Sequence, residues 1–178
     1  MPSALIVVDV QNGFINDYTR HIPERVVALI ESGAYDPIFY TRFINMPEGP
    51  YPRFVGWDAC MAPPETDLVD TVARHASPET TFDKHGYAGL PDALERALLD
   101  RDIDRVTVVG IDTDMCVLKV AMDAFDLNIE PLVLTDCCAS TAGLQSHLAG
   151  LAVLARNIGA MQLRDAGLGE GHLAAPKR

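Results

Sequence analysis

Three side chains of different chemistry could together carry out nucleophilic catalysis in this chain. Cys116 follows an apolar stretch, residues 106–111, and lies where a helix is expected to begin. At the start of a helix, unpaired backbone N–H groups and the helix dipole favour the thiolate, which is the nucleophilic form of cysteine. Asp9 lies at the end of an expected strand and Lys84 directly after another, and they could supply the base and the cation that activate a thiol. The three residues together predict an enzyme.

Each of these residues also has a purely structural interpretation. Asp9 could be a capping acid bonded to loop amides, Lys84 a solvated surface lysine, and Cys116 a small apolar group that faces a core. The catalytic interpretation of Lys84 gains weight because an ammonium close to the thiol would lower the pKa of the thiol and keep Asp9 ionised. We also expect Asp112 or Thr113 to cap the helix, which would leave Cys116 near its third position.

The elements that must position these residues alternate between strands and helices. Strands are expected at residues 4–10, 37–43, 80–83, 105–110, 132–135 and 160–163. Helices are expected at residues 23–31, 64–75, 91–100, 114–125 and 143–157. Such alternation implies right-handed βαβ units, hence a parallel sheet with helices on both faces. Ligands of open parallel sheets bind beyond the carboxyl ends of the strands, where Asp9, Lys84 and Cys116 would converge.

Length and charge limit the classes of function. A chain of 178 residues fits a single domain, for which we expect the bounds 1–178 with about residues 166–178 as a flexible tail. The net charge of −11 argues against a nucleic-acid partner, because no basic cluster occurs beyond Lys177 and Arg178. A small-molecule substrate is the expected partner.

The cysteines and the N-terminus indicate a reducing compartment. The four cysteines show no disulfide-framework spacing and no C-x-x-C pair; they are Cys60, Cys116, Cys137 and Cys138. The N-terminus lacks the basic region of a signal peptide, and no apolar run approaches the length of a membrane span. We therefore expect a cytoplasmic location without a membrane partner, where a catalytic thiol stays available.

Three segments of the chain together resemble the isochorismatase-like cysteine hydrolases, a family that includes nicotinamidases and N-carbamoylsarcosine amidohydrolases. The segments are residues 5–14 (LIVVDVQNGF), 81–84 (TFDK) and 110–117 (GIDTDMCV). A later run, TDCCAS at 135–140 followed by His147, is similar to the family's D-x-x-A-S…H pattern. The match covers most of the chain in the right order. It implies a three-layer α/β/α fold with a six-stranded, mostly parallel sheet.

The resemblance also implies residue roles. It implies that Asp9, Lys84 and Cys116 form a catalytic triad and that the peptide bond between Ile111 and Asp112 is cis. The backbone N–H groups of Asp112 and Cys116 would then form an oxyanion hole. The implied activity is hydrolysis of a small amide or related C–N bond through a Cys116 thioester, with Asp9 as acid and base. The family also implies a homo-oligomer, either a dimer or a tetramer.

The sequence differs from the family pattern at two points that limit the expected cofactor and reaction. Nicotinamidases usually carry a metal site after the second strand, but the corresponding segment here, 40–45, has no histidine. We therefore expect no metal and no other cofactor, and interpret His75 and His85 as surface or supporting residues. The isochorismate-cleaving branch hydrolyses a vinyl ether without a cysteine nucleophile, so Cys116 argues against it. A metal-dependent amidase is a further alternative to the thiol mechanism.

The long irregular segment 44–63 and its neighbours are expected to bind the substrate. The candidate lining residues are Phe14, Arg42, Asn45 and Trp57, together with the aromatics Phe43, Tyr51 and Phe54. Arg42 could bind a substrate carboxylate or pair with an acid such as Glu48. Alternatively, Phe14 and Phe43 belong to the core and Trp57 to a subunit contact.

Two other classes of protein fit parts of the sequence. One is a binding module that keeps the fold but has lost the chemistry, and the reactivity of Cys116 near neutral pH would separate it from an enzyme. The other is a nucleotide-binding Rossmann domain. Neither the turn after Asp9 nor the turn after Gly110 carries G-x-G-x-x-G or a P-loop, which argues against this second class.

Overall fold

The apolar run near the N-terminus forms a central strand of the sheet. Strand β1 (Ser3–Val8) points its side chains alternately to the two faces, and both sets are buried. Ile6 and Val8 pack in one core cluster, whereas Leu5 and Val7 pack in a second cluster on the opposite face. Burial on both faces is typical of strands in parallel sheets that are covered by helices.

The structure is a computed structural model, and it describes residues 2–167. The remaining strands are β2 (Ile38–Phe43), β3 (Thr81–Lys84), β4 (Arg105–Ile111), β5 (Glu130–Ala139) and β6 (Leu163–Arg164). The helices are α1 (Ile22–Glu31), α2 (Asp70–Ala73), α3 (Asp92–Leu99), α4 (Leu118–Asp126) and α5 (Leu144–Asn157). The strands form one sheet in the order β3-β2-β1-β4-β5-β6, and all neighbouring strands are parallel. The expected six-stranded α/β fold is confirmed.

The order of the strands creates a switch point beside β1. The chain leaves β1 for β2 on one side and later returns to β4 on the other side. Helices α3, α4 and α5 contribute to the core cluster on one face, and α1 and α2 contribute to the cluster on the other. In sheets of this kind the crevice outside the carboxyl ends of the strands, at the switch point, is the usual ligand site.

Gly110 is required where β4 passes β1. Its φ angle is +126°, and a Cβ atom there would lie 2.1 Å from the carbonyl oxygen of Val8. Only glycine combines this backbone conformation with so close an approach. The contact brings the end of β4, and therefore the turn before Cys116, directly beside the end of β1.

The expected helix over residues 64–75 is mostly wrong, since only α2 is helical there. Backbone groups of the segment bond the chain after β1 instead. Val69 N–H donates to the Val10 carbonyl, Gly13 N–H donates to the Glu65 carbonyl, and Gln11 forms an antiparallel bridge with Leu68. Pairing between distant segments has outweighed the local preference for helix.

The C-terminal elements also differ from expectation. Residues 160–162 form a 3₁₀ turn rather than a strand, and β6 is only two residues long. The expected tail, about residues 166–178, lies outside the described residues from 168 onward. Within residues 2–167, no helix combines the length and the apolar character that crossing a membrane would require.

Candidate active site

Asp9 is a fully buried carboxylate directly after β1. It adopts a left-handed backbone conformation (φ 49°), which aspartate tolerates better than most residues, and its relative exposure is 0%. Its Oδ1 atom accepts a hydrogen bond from the Thr41 hydroxyl at 2.7 Å. Its Oδ2 atom lies 2.8 Å from the ammonium nitrogen of Lys84. The carboxylate is therefore bonded to two side chains rather than to the loop amides of a simple cap.

Lys84 is also buried, which contradicts its interpretation as a surface lysine. It is the last residue of β3, and only 3% of it is exposed. Since β2 separates β3 from β1, roughly 10 Å lies between the two backbones, and the Lys84 and Asp9 side chains together with their 2.8 Å contact bridge that distance. Burial alone would lower the pKa of Lys84, but the interactions with Asp9 and Cys116 together outweigh burial and raise the pKa to about 12. Lys84 is therefore a cation at neutral pH.

Cys116 completes the cluster, since its thiol interacts with the side chains of both Asp9 and Lys84. Apart from these contacts, neither Asp9 Oδ2 nor Lys84 Nζ has a partner of regular hydrogen-bond geometry in residues 2–167. The structure thus brings together the three residues that the sequence proposed for catalysis, at one edge of the sheet.

The expected lowering of the thiol pKa is wrong. Burial raises the pKa of Cys116 above its ordinary value, the carboxylate of Asp9 raises it further, and only the ammonium of Lys84 opposes them. Cys116 also lies in a π-helical turn, Thr113–Val117, that precedes α4, and no side chain caps this turn. The Cys116 thiol of the resting site is therefore protonated at neutral pH and lies beside the ammonium of Lys84.

The turn before Cys116 is held by contacts with Thr141, which the sequence did not single out, and with His147. The peptide bond between Ile111 and Asp112 is cis, at the position that the resemblance implied. The Asp112 carboxylate accepts two hydrogen bonds from Thr141, one from the backbone N–H and one from the hydroxyl. Burial raises the pKa of Asp112 to about 6, although the Thr141 hydrogen bonds act in the opposite direction. Thr113 Oγ1 lies 2.7 Å from Nδ1 of His147.

Gln11 fixes the opposite wall of the site. Its amide donates to the carbonyls of Phe43 and Thr66, each at 2.8 Å, and accepts the Phe43 N–H at 2.7 Å. The side chain thereby joins the segment after β1 to β2 and to the segment before α2. Gln11 was recognisable only as part of a motif, because its partners lie 32 and 55 residues away in the chain.

A cavity of about 290 Å³ opens onto Cys116. Its lining consists mainly of aromatic and other apolar side chains: Gly13, Phe14, Asn16, Phe43, Tyr51, Val55, Trp57, Tyr87, Ile111, Asp112, Met115, Cys116 and Thr141. Phe14 stacks on Trp57 with ring centroids 6.1 Å apart, and Phe43 packs edge-on against Tyr51 at 5.0 Å. The cavity therefore suits a small, flat molecule.

Two of the four expected substrate-binding residues line this cavity and two do not. Phe14 and Trp57 line it. Arg42 lies outside the lining and forms a bidentate ion pair with Asp83, at 2.7 and 2.9 Å, so it neither faces the cavity nor pairs with Glu48. Alternation along β2 explains this, because Phe43 points into the site and its neighbour must point to the other face.

Asn45 is buried but supports the loop rather than the cavity. Its amide nitrogen donates to the carbonyls of Trp57 and Ala59, at 3.1 and 3.0 Å. These bonds hold the segment that carries Trp57. The exposed Phe54 also lies outside the lining. Conversely, Tyr87, Met115 and Thr141 line the cavity, although no local pattern in the sequence pointed to them.

The two histidines considered for a metal site lie apart from each other. His75 lies 3.6 Å from Glu31, and His85 Nδ1 bonds the carbonyl of Ile44. Among residues 2–167, no three His, Cys, Asp or Glu side chains are grouped in a way that could hold a metal ion.

Comparison with known proteins gives consistent matches over nearly the whole chain. The family model for the isochorismatase domain matches residues 3–165. The N-carbamoylsarcosine amidase of Thermoplasma acidophilum is 25% identical, with a TM-score of 0.76 over 96% of this chain and 100% of that one. The pyrazinamidase/nicotinamidase of Streptococcus mutans is 26% identical (TM-score 0.72, 89% and 98% covered). The nicotinamidase of Staphylococcus aureus is 28% identical (TM-score 0.69, 89% and 94% covered).

Proposed function

The chain belongs to the isochorismatase family, and from this premise we propose that it hydrolyses a non-peptide C–N bond of a small molecule with Cys116 as nucleophile. The observation that carries the proposal is the contact between a buried acid, a buried ammonium and a thiol at the mouth of an aromatic cavity. Similar structures that are named as amidases support the choice of a C–N bond.

The first step is transfer of the thiol proton from Cys116 to Asp9. Because the pKa of the thiol is raised, a free thiolate would be rare, and a base in contact with the sulfur is needed. Lys84 remains protonated and stabilises the negative charge that moves from the carboxylate to the sulfur. The net charge of the three groups does not change during the transfer, which keeps its cost low in a buried site.

The thiolate then attacks the carbonyl carbon of the substrate. A C–S bond forms, the C=O π bond breaks, and the oxygen becomes an oxyanion held by the backbone N–H groups of Asp112 and Cys116. When the tetrahedral intermediate collapses, Asp9 returns its proton to the leaving nitrogen, and an amine or ammonia departs. A thioester on Cys116 remains.

Water completes the reaction. Asp9, again a carboxylate, removes a proton from a water molecule that attacks the thioester carbon. The C–S bond breaks, the acid product leaves, and the proton returns to the sulfur. Asp9 thus acts alternately as base and acid while Lys84 keeps its charge throughout.

Ammonia release from a panel of small amides, ureas and carbamoyl compounds tests the proposal. The wild-type chain should hydrolyse at least one of them, and Cys116→Ala should lose this activity while its circular dichroism and unfolding transition stay close to wild type. Cys60→Ala is the matched control, since Cys60 is buried and does not line the cavity. Full activity in Cys116→Ala would refute the proposal.

Thiol labelling separates the enzyme from its alternatives. A methylthiolating reagent should modify Cys116 before Cys60, Cys137 or Cys138, because of these four thiols only Cys116 both bonds a carboxylate and lines the aromatic cavity. An inert Cys116 would favour a binding module without catalysis. Hydrolysis that persists after Cys116 is blocked would favour vinyl-ether or metal-dependent chemistry.

A further inference from the structure

The Asp112 carboxylate joins the turn that carries the nucleophile to the loop that follows β5. The backbone N–H of Thr141 donates to Oδ1 at 2.5 Å, and the Thr141 hydroxyl donates to Oδ2 at 2.9 Å. Only 8% of Asp112 is exposed, and both residues line the cavity. A carboxylate with both oxygens bonded to one residue is fixed in position and in orientation. We call this pair of hydrogen bonds the Asp112–Thr141 clamp.

The rest of the turn is anchored to α5. Thr113 Oγ1 lies 2.7 Å from Nδ1 of His147. A Cβ atom on Gly150 would lie 2.7 Å from the Cα atom of Asp114, so the two backbones are in close contact. The turn is therefore held at three successive residues, and the clamp is the anchor that also borders the cavity.

We propose that the Asp112 carboxylate is a positioning residue, which through Thr141 aims the backbone N–H of Asp112 at the developing oxyanion. Main-chain hydrogen bonds from Met115 and Val117 hold the carbonyl of Asp112, but no backbone carbonyl in residues 2–167 accepts its N–H, so no main-chain acceptor sets the direction of that N–H. The inference rests on the proposed hydrolase function, because the direction of this N–H matters only if an oxyanion forms. A donor that is aimed before the reaction stabilises the charge without reorganisation.

The clamp should affect the transition state more than substrate binding. Asp112→Ala removes the clamp but leaves Asp9, Lys84 and Cys116 in place. We expect kcat to fall about tenfold to a hundredfold, less than the loss of a whole oxyanion donor, while KM changes little. A residue that only shaped the cavity would instead raise KM.

Benzaldehyde tests the clamp without knowledge of the substrate. The Cys116 sulfur adds to the aldehyde carbon, the C=O π bond breaks, and the thiol proton passes to the former carbonyl oxygen, which gives a hemithioacetal. That oxygen occupies the place of the oxyanion. Trp57 is the only tryptophan in the chain and lines the cavity, so its fluorescence reports the binding directly.

Methyl methanethiosulfonate provides the comparison. The Cys116 sulfur displaces methanesulfinate and forms a methyl disulfide, so no oxyanion develops on carbon. Its rate, followed at Cys116 by mass spectrometry, therefore reports access and thiol activation alone.

The expected result is a selective loss. Asp112→Ala should weaken benzaldehyde binding about tenfold or more, with the methylthiolation rate within about twofold of wild type. Asp112→Asn should recover most of the affinity, because its oxygen accepts the Thr141 N–H and its NH₂ can donate to the Thr141 hydroxyl. Thr141→Val should show an intermediate loss of benzaldehyde affinity, and it replaces Asp112→Ala in the test if that variant does not fold. Thr135→Val is its matched control, since that hydroxyl bonds the Arg164 carbonyl outside the cavity lining.

Two other outcomes distinguish the failure of the clamp from the failure of the function. Equal benzaldehyde affinities in wild type, Asp112→Ala and Thr141→Val would overturn the clamp and leave the hydrolase proposal standing. Absence of benzaldehyde binding and of methylthiolation in the wild-type chain would overturn both.

Discussion

Replacing Lys84 by methionine should be strongly destabilising, because it leaves the Asp9 carboxylate buried without its counter-charge. At a separation of 2.8 Å and an effective dielectric constant of about 20, the attraction between the two charges is about 6 kcal/mol. Desolvation of the two ions costs several kcal/mol each, so the pair as a whole adds little to stability. Removal of one partner, however, typically costs about 3–5 kcal/mol. We expect Lys84→Met to lower the free energy of unfolding by that amount.

A double-mutant cycle measures this coupling. Urea unfolding at neutral pH would be compared for wild type, Lys84→Met, Asp9→Asn and the double variant. The double variant should recover most of the loss, because it contains no buried charge at this place and the Thr41 hydroxyl can still bond Asn at position 9. The buried position of both groups is what makes the expected coupling large.

A half-exposed ion pair gives the control. Lys119→Met removes the partner of Asp123, and about 42% of the Lys119 side chain is exposed, so the loss should be below about 1 kcal/mol. Our account of the pair would be refuted if Lys84→Met cost no more than Lys119→Met. It would also be refuted if the double variant were as unstable as Lys84→Met.

Two further predictions concern backbone packing and pH. Gly110→Ala should prevent stable folding or cost several kcal/mol, since the new Cβ would lie 2.1 Å from the Val8 carbonyl oxygen. Gly86→Ala is the control and should fold, because a Cβ there meets no atom within 4 Å. Equal melting temperatures for the two variants would contradict this prediction. The Asp112 carboxyl, with a pKa of about 6 when folded and its ordinary 3.8 when unfolded, binds its proton more tightly in the folded state. Wild type should therefore lose about 2 kcal/mol of stability relative to Asp112→Asn as pH rises from about 4 to about 7. Besides burial and the Thr141 hydrogen bonds, the charged groups that act on Asp112 are Asp114 and Asp9. A difference in stability between the two proteins that stays constant with pH would refute the assignment.

Much of the fold could be predicted from local patterns. The apolar runs before Asp9 and Cys116 are strands β1 and β4, as expected. They could be predicted because a strand that is buried on both faces consists of consecutive apolar residues. Elements were misplaced where distant segments pair. Residues 65–69 form backbone hydrogen bonds with residues 10–13, and no pattern within either segment predicts that pairing.

The candidate site residues could also be predicted from the sequence. A thiol, an acid and an amine that each follow a strand are an uncommon set, and the carboxyl ends of parallel strands lie at the same edge of the sheet. Their electrostatics were not. The sequence left open an exposed Lys84 and led us to expect a lowered pKa for the Cys116 thiol, but Lys84 is buried and burial raises the pKa of that thiol. Burial is a property of everything packed around a group, so the residue's own neighbours in sequence do not report it.

By itself, the sequence determined the alternation of strands and helices and the three candidate catalytic side chains, since both depend on residue type and spacing along the chain. Only the tertiary structure decided that Lys84 pairs with Asp9, that Arg42 turns away to Asp83, and that Thr141 clamps Asp112. The physical reason is that each of these contacts joins residues at least 29 positions apart. Its formation depends on how the sheet brings their backbones together, and no local preference encodes that.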